Sequence, residues 1–188
     1  MVVTVIGLGL IGGSMAIDMK NSGFASKIIG VDKSKINAEF ALKIGFVDQV
    51  SSLESAIHES AFVIIATPSD SAVDLAIEVL NSIDKQVVVD VSSTKLQLSE
   101  AIKNHKKRNC FVLTHPMAGT EFSGPWAAKA DLFSSKVAIL CDLENNLENA
   151  VLIEKSIQLK ANDYKPTLSF VRNIEKNIRN LKLEIKQN

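Results

Sequence analysis

Two cysteines in 188 residues, Cys110 and Cys141, leave no material for a disulfide framework. Each sits in an apolar run, which predicts buried free thiols in a reducing, cytoplasmic setting. Aromatic residues are scarce at 5%, so the 46% hydrophobic fraction leans on Val, Ile, Leu and Ala. The formal net charge is +0, which gives no general electrostatic case for nucleic acid or a membrane surface. No apolar run approaches the ~20 residues of a membrane span. The N-terminal MVVTVIGLGLIGGSM lacks a basic leader and is interrupted by Gly7, Gly9, Gly12 and Gly13, so it does not read as a signal peptide. Internal repeats and low-complexity tracts are also missing. The expectation is a soluble, cytoplasmic chain with one well-cored domain and an appendage.

What is present is alternation. Short β-branched runs recur at Val2–Ile6, Lys27–Val31, Phe62–Ala66, Gln86–Asp90, Cys110–Thr114 and Lys136–Leu140. Most are continuously apolar, as in strands buried on both faces of a parallel sheet. Between them lies helical periodicity. In SDSAVDLAIEVLNSI, Val73, Ala76, Ile77 and Leu80 form a stripe, with Ser69 or Asp70 available as N-cap. Strand–helix alternation predicts an α/β fold, a Rossmann-type doubly wound and mainly parallel sheet. The composition shifts near residue 150: residues 151–188 hold eight basic and four acidic residues. There Val171, Ile174, Ile178, Leu181 and Ile185 follow a helical stripe. We therefore read residues 1–150 as a nucleotide-binding domain and 151–188 as a short helical extension.

VTVIGLGLIGGS carries G-x-G-x-x-G at Gly7, Gly9 and Gly12, after a predicted strand and at the start of a predicted helix. Gly7 permits the tight turn, Gly9 lets a pyrophosphate approach the backbone, and Gly12 allows close helix–strand packing. With Leu10 and Ile11, these residues present helix N-terminal N–H groups to the phosphates of a dinucleotide. Asp32 ends the next strand, in IIGVD, where a ribose-binding acid is expected; it favours NAD over NADP, and Lys33 weakens that preference. Thr67 and Pro68, in ATPSD, suit a loop passing the nicotinamide end. No metal is expected.

Ligands of open α/β sheets bind beyond the carboxyl ends of the strands. Two polar loops follow apolar runs at such ends, DVSSTK (Asp90–Lys95) and THPMAGTEFSGPW (Thr114–Trp126). An imidazole there can take a proton from a substrate hydroxyl while hydride leaves the same carbon. The residues alone leave His115 open between that role and a structural one. His58 and His105 lie in polar segments and read as solvated surface residues.

Taken in order, VIGLGLIGGS, GVD, IIATP, DVSSTK, HPMAGTEFSGP and LFSSKVAILCD resemble the prephenate/arogenate dehydrogenase family of tyrosine biosynthesis, over roughly residues 1–142. The HPMAGTEFSGP block is the most specific part. The resemblance implies an NAD-dependent oxidative decarboxylation of prephenate to 4-hydroxyphenylpyruvate, with arogenate as the alternative substrate. It implies that His115 accepts a hydrogen bond from the substrate's ring hydroxyl and that Ser93, rather than Ser92, contacts the same hydroxyl. Glu121 and Ser123 are open between shaping the substrate entrance and ordering the loop, and Lys95 reads as a helix-start residue. Family members carry a second, helical domain that supplies dimer contacts and substrate-binding cations. No motif of that domain is found in residues 151–188, and neither Arg172 nor Arg179 is assigned to substrate. A homodimer through the C-terminal helix is expected, and an NAD-binding module without turnover stands as the alternative to an active enzyme.

Overall fold

The computed structural model describes residues 1–142. The expected extension over residues 151–188, with Arg172 and Arg179 and the helix proposed for dimer contacts, lies outside the described residues. The chain runs β1 (Val2–Ile6), α1 (Leu10–Asn21), β2 (Lys27–Val31), α2 (Lys35–Lys43), β3 (Gln49–Val50), α3 (Leu53–Glu59), β4 (Phe62–Ile65), α4 (Ser69–Ser82), β5 (Val87–Asp90), α5 (Leu96–Ile102), β6 (Phe111–Pro116) and β7 (Ala138–Cys141). One sheet holds all seven strands in the order β3-β2-β1-β4-β5-β6-β7. β1 to β6 are parallel and β7 is antiparallel to β6. This is the expected α/β, Rossmann-like, mainly parallel architecture.

Central strands read as unbroken apolar runs because both faces are covered. One face buries Val3, Val5, Ile64 and Val89 against Met15, Ala16 and Met19 of α1 and Ala38 and Ala41 of α2. The other buries Val63, Ile65 and Val88 against Ala76, Val79 and Leu80 of α4 and Leu98 and Ile102 of α5. The α4 stripe is as expected: Ala76 and Leu80 are buried, and Val73 and Ile77 pack partly buried against the same cluster. Its start is different. Pro68 occupies the N-cap position without a side-chain cap, and Ser69 already belongs to the helix. Ser71 Oγ instead donates to the Pro68 carbonyl at 3.0 Å, closing the turn from inside.

Two further departures have simple causes. β3 is two residues long and pairs only with Ile29 and Gly30, so it carries no periodic signal of its own. Cys110 and Cys141 are half-buried rather than buried, because each stands at an end of its strand region. No helix among the described residues is long and apolar enough to cross a membrane.

Thr4 shows how a polar residue is tolerated in the innermost strand. It is fully buried, and its Oγ1 donates to the Ala56 carbonyl at 3.0 Å and meets Ser60 Oγ at 2.6 Å. These bonds fasten α3 to β1. Thr4→Val keeps the shape but strands the Ser60 hydroxyl and the Ala56 carbonyl. We expect a loss of about 1–3 kcal/mol, seen as a lower urea midpoint at unchanged slope.

Candidate functional site

The parallel register aligns the carboxyl ends of five strands. Val31 pairs with Ile6, Ile6 with Ile65, Ile65 with Asp90 and Asp90 with Leu113. The residues just beyond this row are Asp32, Gly7, Ala66, Val91 and Thr114, with Thr67, Ser92 and His115 one step further. The glycine loop, Asp32, Thr67, the start of the DVSSTK loop and His115 therefore arrive at one edge of the sheet. The chain turns towards β2 and β3 after β1, and towards β5 and β6 after β4, so the topological switch lies between β1 and β4.

The glycine loop sits at that switch, and its three glycines do different things. Gly7 has φ +92°, and a Cβ there would stand 2.6 Å from the Ala66 carbonyl oxygen. A Cβ on Gly12 would lie 2.0 Å from the Gly7 carbonyl oxygen. Neither position admits a side chain. Gly9 adopts φ −78°, which any residue can take, and a Cβ there would meet nothing within 4 Å. Open space over Gly9 leaves the backbone approachable by a ligand. Gly9 caps α1 without a side-chain hydrogen bond, and the first helical bond runs from Gly13 N–H to the Gly9 carbonyl at 2.8 Å. The N–H groups of Leu10, Ile11 and Gly12 thus have no intrahelical acceptor. Together with the positive end of the helix dipole they can hold an anionic group.

Asp32 is not a solvated strand-end acid. Its Oδ2 accepts from Leu8 N–H at 2.8 Å, and its Oδ1 accepts from Ser34 N–H at 2.8 Å and from Asn37 Nδ2 at 3.5 Å. The carboxylate ties the glycine loop to the start of α2. These bonds use three of the carboxylate's roughly four acceptor positions, and the one that remains, on Oδ2, can take a ribose hydroxyl. At the end of β4, Thr67 Oγ1 is buried with no hydrogen-bond partner, and Pro68 beside it is exposed. An orphaned buried hydroxyl is costly, and a polar ligand laid along this edge would satisfy it. Helix N-terminus, bare Gly9, Asp32 and Thr67 form a set that fits a dinucleotide.

The loop after β5 holds a feature that sequence reasoning missed. Asp90 is 0% exposed and forms an ion pair with Lys95. Its carboxylate also accepts from Ser92 N–H at 3.3 Å and Ser92 Oγ at 2.9 Å, while Lys95 Nζ donates to Ser92 Oγ at 3.2 Å. Burial pushes the Lys95 ammonium below the usual lysine range, against the opposing pull of Asp90. Lys95 is therefore the part-buried cation of a buried carboxylate rather than a plain helix-start residue. The available signal was an acid ending an apolar strand with a lysine five positions on. Ser92 is committed to this network. Ser93 is exposed and makes no side-chain hydrogen bond among the described residues.

His115 lies near the end of β6, opposite Ile139 of β7, half-buried and without a side-chain hydrogen bond among the described residues. Thr114 Oγ1 donates to the Asp90 carbonyl at 2.9 Å, binding the β6 end to the β5 end. His58 is exposed, as expected. His105 is only partly solvated: it is half-buried, its Nε2 lies 3.2 Å from Asn81 Oδ1, and its Nδ1 accepts from Lys107 N–H at 3.1 Å. That histidine shapes the turn leading into β6.

Beyond His115 the chain does not return at once. Residues 117–137 travel back to α1 and α2. Leu132 and Phe133 enter the core beside Met15 and Met19, and Trp126 packs edge-on to Phe40 of α2 with ring centroids 6.3 Å apart. Within this connection Thr120 Oγ1 accepts from Phe122 N–H at 3.2 Å, whereas Glu121 and Ser123 are exposed.

A family model described as prephenate dehydrogenase, nucleotide-binding domain, matches residues 15–162. The chain belongs to the prephenate dehydrogenase family. Among curated relatives it is 40% identical to a prephenate dehydrogenase of Bacillus subtilis over 149 residues, 77% of this chain and 40% of that protein. It is 29% identical over 140 residues to a cyclohexadienyl dehydrogenase of Zymomonas mobilis, 73% of this chain and 48% of that protein. A crystal structure of the A. aeolicus prephenate dehydrogenase with hydroxyphenyl propionate and NAD+ superposes with a TM-score of 0.76 at 27% identity, covering 84% of this chain and 56% of that one. The Synechocystis arogenate dehydrogenase gives 0.73 at 26% identity, covering 84% and 55%. The chain thus spans about half the length of the curated relatives it matches.

In this prephenate dehydrogenase family member the Asp90–Lys95 pair is open to a direct test. Lys95→Met leaves a buried carboxylate without its cation and is expected to destabilise by about 3–5 kcal/mol. Asp90→Asn/Lys95→Met removes both charges and should recover most of that loss. A double-mutant cycle by urea unfolding measures the coupling.

Proposed function

We propose that this chain is the nucleotide-binding part of an NAD-dependent prephenate dehydrogenase. The observation that supports this reading is the register along the carboxyl edge. It sets Asp32, just after β2, and His115 on β6 on opposite sides of the β1–β4 crevice, with the glycine loop and Thr67 between them. Four strand spacings at about 4.8 Å separate the two ends by roughly 19 Å, a span for an extended dinucleotide with its ribose at one end and a reacting ring at the other. Asp32 would receive the adenosine ribose and repel a 2′-phosphate, which favours NAD. The N–H groups of Leu10, Ile11 and Gly12 would hold the pyrophosphate over Gly9, and Thr67 and Pro68 would border the nicotinamide end.

When bound, NAD supplies the hydride acceptor. The work left to the protein is alignment and proton transfer. His115 accepts the proton of the substrate's ring hydroxyl as hydride departs from the carbon bearing it. Ser93, whose hydroxyl is free of the Asp90 network, hydrogen-bonds the same oxygen and keeps it oriented. Loss of carbon dioxide provides the electron pair that completes the aromatic ring, and the ring oxygen takes its proton back from His115, so the products are 4-hydroxyphenylpyruvate, carbon dioxide and NADH. Arogenate is the second substrate to examine, because one similar structure is an arogenate dehydrogenase.

Two measurements test this reading. Gly9→Ala should fold as stably as the parent, since a Cβ there meets nothing within 4 Å. It should nevertheless weaken NAD binding about tenfold or more by intruding on the approach to the backbone. Unchanged affinity would remove Gly9 from the site. With prephenate and NAD, NADH absorbance should rise, and His115→Asn should slow it by about 10²–10⁴-fold. NAD binding without substrate-dependent NADH, from prephenate or arogenate, would make the chain a binding module. Equal turnover by His115→Asn would end the role given to that residue.

A further inference from the structure

The motif GLGLIGGS has two residues that the dinucleotide pattern does not use, Gly13 and Ser14. We infer that they are positioning residues for the substrate end of the crevice: they seat the loop that follows His115 on the cofactor helix and take no part in holding the dinucleotide. The inference rests on the functional reading above for what the loop does, and on the following contacts for what seats it.

The N–H of Gly13 is spent on the Gly9 carbonyl at 2.8 Å, so it is not available to a phosphate. A Cβ on Gly13 would stand 2.7 Å from the Ala128 Cβ and 3.1 Å from Phe46 Cζ. The first of these is fixed to the loop backbone and cannot swing aside. Gly13 is thus bare because residues 125–128 lie directly on α1. Ser14 is 0% exposed, and its Oγ accepts from Lys129 N–H at 3.0 Å, across 115 positions of sequence. One turn further along the same face, Asp18 Oδ1 accepts from Asp131 N–H at 3.0 Å. Close approach at Gly13 and a ladder of two side-chain acceptors make a seat for the loop backbone.

The other end of the loop is fixed independently. His115 pairs with Ile139, and Met117 N–H donates to the Val137 carbonyl at 2.8 Å. Residues 118–124 therefore arch between two anchors, one on β6 and β7 and one on α1. The path of Thr120, Glu121 and Ser123 between these anchors depends in part on the α1 anchor. A helix whose first turn faces the phosphates thus carries, on its next residues, the support for the loop that would meet the substrate.

The experiment compares the full chain with Gly13→Ala, Ser14→Ala and the double variant Gly13→Ala/Ala128→Gly. Three quantities are read: amide hydrogen exchange at Lys129 and Asp131, NAD affinity, and the separate KM values for NAD and prephenate. Gly13→Ala is expected to speed exchange at both amides about tenfold or more, with NAD affinity within about twofold of the parent. KM for prephenate should rise while KM for NAD stays. Ala128→Gly should restore exchange and KM by removing the opposing Cβ, which a general loss of stability would not permit. Ser14→Ala introduces no steric conflict and supplies the same readouts should Gly13→Ala fail to fold. Unchanged exchange, or no recovery in the double variant, would overturn the seat. A loss of NAD affinity in step with the loosened loop would return Gly13 and Ser14 to the cofactor site and overturn the inference. Absence of turnover in the parent would sink the proposed function alone, since exchange and NAD affinity still decide the seat.

Discussion

The carbonyl of Gly7, the backbone of Gly12 and the end of β4 at Ala66 crowd into a space where no Cβ fits. That contact sets the start of α1 against the ends of β1 and β4, and the rest of the site follows from it. With α1 drawn in so closely, its first-turn N–H groups stand over the switch between the two halves of the sheet. Its next turn reaches the chain segment returning from β6. A larger residue at either glycine would shift the helix and, with it, both the anion-holding end and the seat of the loop. Backbone proximity, rather than any single side chain, is therefore what fixes α1 against the ends of β1 and β4.

Polar groups at this edge divide into those already satisfied and those left over. Asp32 is tied to Leu8, Ser34 and Asn37, and Asp90 is paired with Lys95 and Ser92. These acids fasten the loops after β2 and β5. Thr67 Oγ1 is buried without a partner, and His115 and Ser93 make no side-chain hydrogen bonds among the described residues. In a folded protein a buried polar atom without a partner is uncommon, and here it stands on the line between the glycine loop and His115. Lys95, the cation of the DVSSTK loop, is committed to Asp90 and leaves that loop no free positive charge for an anionic substrate.

Much of this was legible in the chain itself. The parallel core was readable because strands covered on both faces are apolar without alternation, as in VVTVI and FVIIA. The glycine loop was readable because a tight turn at the end of a strand demands glycine locally. Where the environment was set by distant segments, reading failed or stayed open. β3 escaped because two residues have no period. The N-cap of α4 was misplaced because Ser69 and Asp70 have capping chemistry but the helix begins one residue earlier, after Pro68. His105 looked like a solvated residue among lysines, yet Asn81 of α4 approaches it from 24 positions away.

What the sequence by itself determined was the fold class, the buried strands other than β3, the glycine turn and the identity of the loops at the carboxyl edge. These depend on residue type and short-range spacing, which a linear chain displays directly. Only the tertiary structure decided that Lys95 pairs with the buried carboxylate of Asp90, that Ser92 rather than Ser93 is consumed by that network, and that Gly13 and Ser14 face a loop more than a hundred residues away. Those facts are distances between segments. They arise when burial in the sheet brings backbone atoms close enough that a missing Cβ or a single hydroxyl acceptor matters.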